Sequence, residues 1–377
     1  MNIVNVLAEP LAVQFIGHPF AAIGKGEEIR ANIRALLSID EPVQVLDIYR
    51  AEPRQDIDHL ALIEPREIRR LSRGPRVFHI NGDEVEPVQH QLAALGSDFT
   101  SGRNIVVPAW ELPVYPAIWA ELLKRFDEVW AISRFVQEGL AASGVEAHHV
   151  GQSVDIPIRA FLSRRHFGIR DSAFAFLCFF DYSSHVERKN PLAAIAVFRR
   201  LLAERPFDDI QIVIKAKGNA EEASLLGSQF DLPLGSYVII DRLLSTFEQH
   251  SLMASCDCLV SLHRAEGFGR GPGEAMRLGR LVLATGWSGN IDFMDDGNSL
   301  LVSHELVPVP PGAYPHGEGQ VWAEPDLDHA TALARRALDD PAGMRRVSMK
   351  GMDDIIRRMG DRAVGLRILD RLARLPA

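Results

Sequence analysis

Short apolar runs alternate with helix-like segments along the whole sequence, and that rhythm leaves few folds open besides parallel sheets joined by helical crossovers. The candidate strands of the first half are Ile3–Leu7, Val43–Tyr49, Arg76–Asn81, Asn104–Ala109 and Glu128–Ser133. Those of the second half are Ala173–Phe180, Ile210–Ala216, Tyr237–Asp241, Cys256–His263, Leu281–Thr285 and Ser299–Val302. At 377 residues the chain is too long for one ordinary core and fits two domains of about 150–200 residues. The division falls between 157 and 170, where a proline, four arginines and a histidine precede a new apolar strand. The expected class is α/β, with domains at 1–160 and 161–344, and an Arg-rich helical stretch, Arg345–Leu375, within 345–377.

One segment concentrates the chemistry: Ser261-Leu-His-Arg-Ala-Glu266-Gly-Phe-Gly-Arg-Gly-Pro-Gly-Glu274-Ala-Met-Arg-Leu-Gly279. It reads as a strand end, a glycine-rich turn and a helix start, with Pro272 tolerated early in the helix because its missing N–H would be unpaired there anyway. Bare amides and the positive end of a helix dipole seat a phosphate. The carboxylates of Glu266 and Glu274 can each accept two hydrogen bonds from neighbouring hydroxyls. Amides for phosphate and carboxylates for vicinal hydroxyls suit a nucleotide sugar. The dinucleotide fingerprint fits badly, since it belongs to the first βα unit with an acidic residue about twenty positions on. A phosphate loop fits worse, because Gly24-Lys25 is followed by Gly26 rather than Ser or Thr.

Glu266 and Glu274 form the Glu-x7-Glu pattern, and here the chain resembles the retaining glycosyltransferases of family 4, which have the two-Rossmann-domain GT-B architecture. Glu-Gly-Phe-Gly at 266–269, Glu-Ala-Met at 274–276 and Ala284-Thr-Gly-Trp-Ser-Gly-Asn290 agree with it. A second block, Phe180-Asp-Tyr-Ser-Ser184-His-Val-Glu-Arg188-Lys189-Asn190-Pro191, resembles the segment that holds the donor diphosphate. A third, Ala109-Trp-Glu-Leu-Pro113 with Asp127-Glu-Val-Trp-Ala-Ile-Ser133-Arg-Phe135, is similar to the N-terminal half of bacterial members. The likeness spans nearly the whole chain. It implies an acceptor-binding first domain, a donor-binding second domain across a deep cleft, and a C-terminal helix that crosses back to the first.

The resemblance also implies roles. Glu266 faces the transferred sugar near the reacting carbon, and Glu274 binds the donor ribose. Arg188 and Lys189 neutralise the diphosphate as the sugar bond breaks, and Ser184 adds a hydroxyl to the same phosphates. Gly267, Phe268, Gly269 and Arg270 present backbone amides, and Gly24 and Gly26 face the diphosphate from the first domain. Many members carry a histidine after the strand that ends here at Ala109. This chain has Trp110-Glu111 instead, so Glu111 either replaces it or lines the acceptor pocket, with His79, Asn81 and His263 as other candidates.

No cofactor and no metal are expected, because two cations and a helix terminus can do a metal's work. The Asp56-Ile-Asp58 and Asp326-Leu-Asp328 pairs sit away from the phosphate blocks. A net charge of −9 argues against nucleic acid as a partner. Arg66, Arg69, Arg70, Arg73 and Arg76 read as a solvated helix face or as a contact for anionic lipid headgroups. The N-terminus does not read as a signal peptide, and no apolar run reaches eighteen residues. With Cys178, Cys256 and Cys258 in strand-like runs, the expectation is a cytoplasmic protein with reduced thiols, in peripheral contact with the membrane at most. The expected activity is transfer of a hexose from GDP-mannose or a UDP-hexose to a saccharide or lipid-linked acceptor in surface-polysaccharide synthesis. A nucleotide-sugar epimerase or hydrolase on the same double fold, and a catalytically silent binding module, are the alternatives. The Glu-x7-Glu spacing speaks against the first, and retention of both glutamates and both cations against the second.

Overall fold

The computed structural model describes residues 11–50, 57–156, 160–181, 185–217 and 231–374. Strands β1 (Val13–Gly17), β2 (Val43–Asp47), β3 (Arg76–Phe78), β4 (Asn104–Val106), β5 (Glu128–Ala131) and β6 (His148–His149) form one sheet in the order β2-β1-β3-β4-β5-β6. Strands β7 (Phe174–Asp181), β8 (Ile210–Lys217), β9 (Tyr237–Ile240), β10 (Cys258–Ser261), β11 (Leu281–Thr285) and β12 (Leu300–Val302) form a second, ordered β12-β11-β10-β7-β8-β9. Every pairing in both sheets is parallel. Parallel strands have helices on both faces and therefore read as unbroken apolar runs. The Phe-Ala-Phe-Leu-Cys-Phe-Phe run of β7 and the fully buried Leu-Val-Leu-Ala-Thr of β11 do so.

Two expectations about the strands change. Among the described residues the first strand is Val13–Gly17, a strand not expected, which pairs with both β2 and β3; Ile3–Leu7 lies outside the described residues. An antiparallel hairpin, β13 (His304–Pro308) and β14 (Val321–Pro325), follows β12 and was not expected. Its first strand is mostly half-exposed or exposed and pairs only with its mate, so it lacks the apolar run that marks the core strands.

The strand order reverses between β1 and β3 in the first sheet and between β7 and β10 in the second. Such switch points open a crevice beyond the carboxyl ends of the strands. The C-terminal segment breaks at Gly360 into helices Pro341–Met359 and Asp361–Ala373. The first packs on helix Arg270–Arg277 and the second crosses to helix Gly24–Leu37 of the first half. Arg371 fastens the crossing with a forked ion pair to Glu128 of β5, at 2.9 and 2.5 Å. One apolar core runs from Phe15 and Phe78 through Trp110, Val154, Phe268 and Phe293 to Ile355 and Ile368, so the halves share packed interior as well as charge contacts.

Candidate functional site

The loops after β7 and β10 bring three charged side chains together at the second switch point. Arg188 and Lys189 close a one-turn helix, Val186–Lys189. Asn190 (φ 52°) then turns the chain into helix Pro191–Glu204, whose proline occupies the position that needs no N–H. From β10 the turn carries Glu266 and enters helix Arg270–Arg277 through Gly269 in the left-handed region (φ 88°). Glu266 receives Lys189 Nζ at 2.5 Å and lies 3.4 Å from Arg188 Nη1, which also donates to the Ala265 carbonyl at 2.7 Å. All three are largely withdrawn from water. Burial alone would raise the Glu266 carboxyl, but Lys189, Arg188 and His263 hold it down at about 2. Burial pushes Lys189 below the ordinary lysine range, and Arg188 adds to that against the pull of Glu266. Arg188 shifts upward, its burial outweighed by Glu266 and Glu111.

Beside the trio a small pocket, partly open to solvent, is lined by Lys189, Asn190, Ser261, Glu266, Gly271 and Pro272 among others. Two helix N-termini meet there, and the first-turn amides of a helix have no acceptor within it. The side-chain amide nitrogen of Asn190 is buried on this wall and has no hydrogen-bond partner among the described residues. A buried donor left unpaired costs about 1–3 kcal/mol, which points to an oxygen-rich ligand.

Glu274 stands apart from Arg188 and Lys189. It lies 2.7 Å from Arg270 Nε, a close ion pair whose angle is not that of a hydrogen bond, and 4.0 Å from His250 Nε2. Arg270 then reaches over the domain boundary, donating to Glu27 at 2.9 Å and to the Ser153 carbonyl at 3.0 Å. Glu27 is also held by Arg30 at 2.8 Å and Arg34 at 2.7 Å. Burial raises the Glu27 and Glu274 carboxyls, but these cations bring both below the usual range, with Arg34 the strongest on Glu27 and Arg270 on Glu274. The Arg270 side chain thus ties the halves together.

Opposite the trio, Trp110 and Glu111 follow β4. Trp110 is buried among Tyr115, Trp119 and Tyr314, and its indole donates to the Val114 carbonyl at 2.8 Å. Glu111 approaches Arg188 Nη2 at 3.9 Å, so one acidic side chain of the first half does face the cationic pair. Gly267 allows a close approach: a Cβ there would come within 2.7 Å of the Trp110 carbonyl oxygen. Ser133, which caps helix Arg134–Ala142, donates to the Gly267 carbonyl at 2.5 Å. The blocks quoted from the sequence therefore meet at one boundary.

Other predicted residues have structural partners. Gly24-Lys25-Gly26 forms the first turn of helix Gly24–Leu37 rather than a loop before it. A Cβ at Gly26 would lie 2.2 Å from the Ala21 carbonyl, whereas Gly24 faces open space. Phe268 packs against Phe293 in the shared core. Ser184 lies outside the described residues. His79 is wholly buried and paired with Glu28 at 2.8 Å; burial lowers it below the ordinary histidine range. Asn81 caps the turn Gly82–Glu84 and accepts from the Ala109 amide. His263 is buried against Asn290 at 3.1 Å. Asp326 caps helix Leu327–Asp339, and Asp58 accepts from the Phe247 amide. Arg76 sits inside β3 with its guanidinium on main-chain carbonyls, while Arg69, Arg70 and Arg73 are exposed on irregular backbone. The three cysteines are free and buried. Tyr314, His250 and Glu27 were missed; Tyr314 lies in a Pro- and Gly-rich stretch that reads only as a loop.

Two six-stranded parallel sheets, each with its own switch point, are joined by a crossing C-terminal helix. The structure is similar to Anabaena HepE in complex with UDP and glucose, with a TM-score of 0.68 at 14% identity, covering 97% of this chain and 100% of that one. The fold is GT-B. The same measures for sucrose-phosphate synthase from Thermosynechococcus elongatus are 0.68, 14%, 97% and 99%. A glycosyltransferase from Rickettsia africae gives 0.63, 11%, 97% and 99%. No protein-family model matches the chain, and no curated protein matches it in sequence. Within the GT-B frame, the Arg188–Lys189–Glu266 trio and Glu111 lie on the two sides of the domain boundary.

Proposed function

We propose that the chain is a retaining, metal-independent glycosyltransferase of the Glu-x7-Glu type, moving a hexose from GDP-mannose or a UDP-hexose to a hydroxyl acceptor. The observation that carries this is the trio of Arg188, Lys189 and Glu266, joined at the β7/β10 switch point beside two helix N-termini and an unpaired Asn190 amide. The arrangement offers positive charge and amides to a diphosphate and a carboxylate to the sugar. Residues 161–344 then hold the donor, with Glu274 on the ribose once Arg270 releases it. Residues 1–160 hold the acceptor near Trp110 and Glu111, and 345–377 cross back.

In this reading the bond from the sugar's anomeric carbon to the phosphate oxygen breaks while the acceptor oxygen bonds on the same face. The acceptor's proton goes to the departing phosphate. Arg188 and Lys189 stabilise the charge that develops on that phosphate, and domain closure excludes water. A saccharide or lipid-linked saccharide of surface-polysaccharide synthesis is the proposed acceptor, met in the cytoplasm or at the inner face of a membrane. No helix among the described residues is long and apolar enough to cross one.

A thermal-shift screen against nucleotides and nucleotide sugars tests the donor, since a ligand of the folded state raises its melting temperature. Lys189→Ala and Glu274→Ala should each lower transfer at least about a hundredfold while the variants stay folded. Wild-type turnover in either variant overturns the role given to that residue.

A further inference from the structure

The tip of the β13–β14 hairpin, residues 309–320, crosses from the second half to the first. Gln320 docks it there: its side-chain amide accepts from the Val114 amide at 2.9 Å and donates to the Val114 carbonyl at 3.0 Å. The His316 ring packs edge-on against Trp119 at 4.8 Å. Just before these anchors Tyr314 enters the boundary, where the residue is 8% exposed. Its hydroxyl donates to Glu111 Oε2 at 2.5 Å, its ring lies 5.9 Å from the Arg188 guanidinium, and His185 packs against it at 4.7 Å. One tyrosine thus touches the acidic residue of the first half and the arginine of the second.

We propose that Tyr314 is a positioning residue that tethers the Glu111 carboxylate and so keeps it from collapsing onto Arg188. This rests on the reading of Arg188 as part of an anion seat. Glu111 Oε1 stands 3.9 Å from Arg188 Nη2, too far for a hydrogen bond, while Oε2 is taken by the tyrosine. Without the hydroxyl, the carboxylate can close the remaining gap to Arg188, whose charge Glu266 already shares. A direct Glu111–Arg188 pair would cancel the charge meant for phosphate. The hairpin tip is therefore part of the site's electrostatics.

A double-mutant cycle of Tyr314→Phe, Glu111→Gln and both together tests the tether, with binding of inorganic pyrophosphate read by calorimetry and folding checked by melting. The phenylalanine keeps the ring against Arg188 and His185 and removes only the donor. Tyr314→Phe should weaken pyrophosphate about five- to tenfold, the effect expected when a freed carboxylate pairs with the cation. Glu111→Gln should bind at least as tightly as wild type. In the Glu111→Gln background the tyrosine substitution should then cost nothing, because no carboxylate remains to collapse. Additive losses, or unchanged binding in Tyr314→Phe, overturn the tether; so does a wild type that does not bind pyrophosphate. Release of nucleoside diphosphate from UDP-glucose or GDP-mannose by the wild type is scored separately, so failure of the glycosyl-transfer reading is distinguished from failure of the tether.

Discussion

Replacing Glu266 by glutamine should weaken the folded protein and tighten its grip on phosphate at once. The carboxylate lies between Lys189 at 2.5 Å and Arg188 at 3.4 Å, and despite its burial these cations carry it from an ordinary 4.5 to about 2. At about 1.4 kcal/mol for each tenfold change in acidity, that displacement corresponds to about 3–4 kcal/mol of stability. The sign follows from the folded value lying below the unfolded one. The contribution is complete above about pH 4.5 and disappears as the pH falls toward 2. Denaturant titrations of wild type and Glu266→Gln should therefore differ by about 3–4 kcal/mol at pH 7, and the gap should close progressively below pH 4.5. An anion can replace the missing carboxylate between the two cations. Pyrophosphate at a hundred times its Kd adds about 2.7 kcal/mol to any protein that binds it only when folded, enough to restore most of the loss. The variant should bind pyrophosphate more tightly than wild type, since the Glu266 carboxylate no longer competes for Arg188 and Lys189, while transfer collapses. A stability gap under about 1 kcal/mol at pH 7, or one that does not change with pH, refutes the argument.

Two further substitutions probe the boundary between the halves. Arg270→Leu removes the cation shared by Glu27 and Glu274; it should cost about 3–5 kcal/mol, lower the melting temperature, and enlarge the radius of gyration in solution scattering, and an unchanged radius would discount the clasp. Gly267→Ala sets a methyl group 2.7 Å from the Trp110 carbonyl; it should cost about 1–3 kcal/mol and depress transfer, measured by melting and by turnover, whereas a variant as stable as wild type would show that the backbones part easily.

The sequence was most informative where burial on both faces leaves an unbroken apolar run, as in β7, β10 and β11. Those strands place the glycine-rich turn, and hence Glu266, at a sheet's carboxyl edge. The resemblance implied that Glu266 and Glu274 would both face Arg188 and Lys189; in the structure Glu266 contacts both cations, whereas Glu274 pairs with Arg270. The boundary was far less legible. Arg270 was expected to offer amides to the ligand, yet its guanidinium bridges Glu27 and Glu274, residues 247 positions apart in sequence, a partnership no local pattern encodes. Tyr314 was invisible because a half-exposed hairpin among prolines and glycines has neither apolar period nor motif. His79 shows the converse. Its position at a strand end suggested chemistry, but a buried Glu28 fills its hydrogen-bonding need and leaves it in the core.

Helix Asp361–Ala373 belongs by covalent order to the second half and by packing to the first. A nascent chain emerging from the ribosome therefore makes the whole first sheet long before the helix that covers Gly24–Leu37 exists. Until that helix is synthesised, that half carries an uncovered flank, and a premature stop between residues 345 and 361 would injure the half completed earliest.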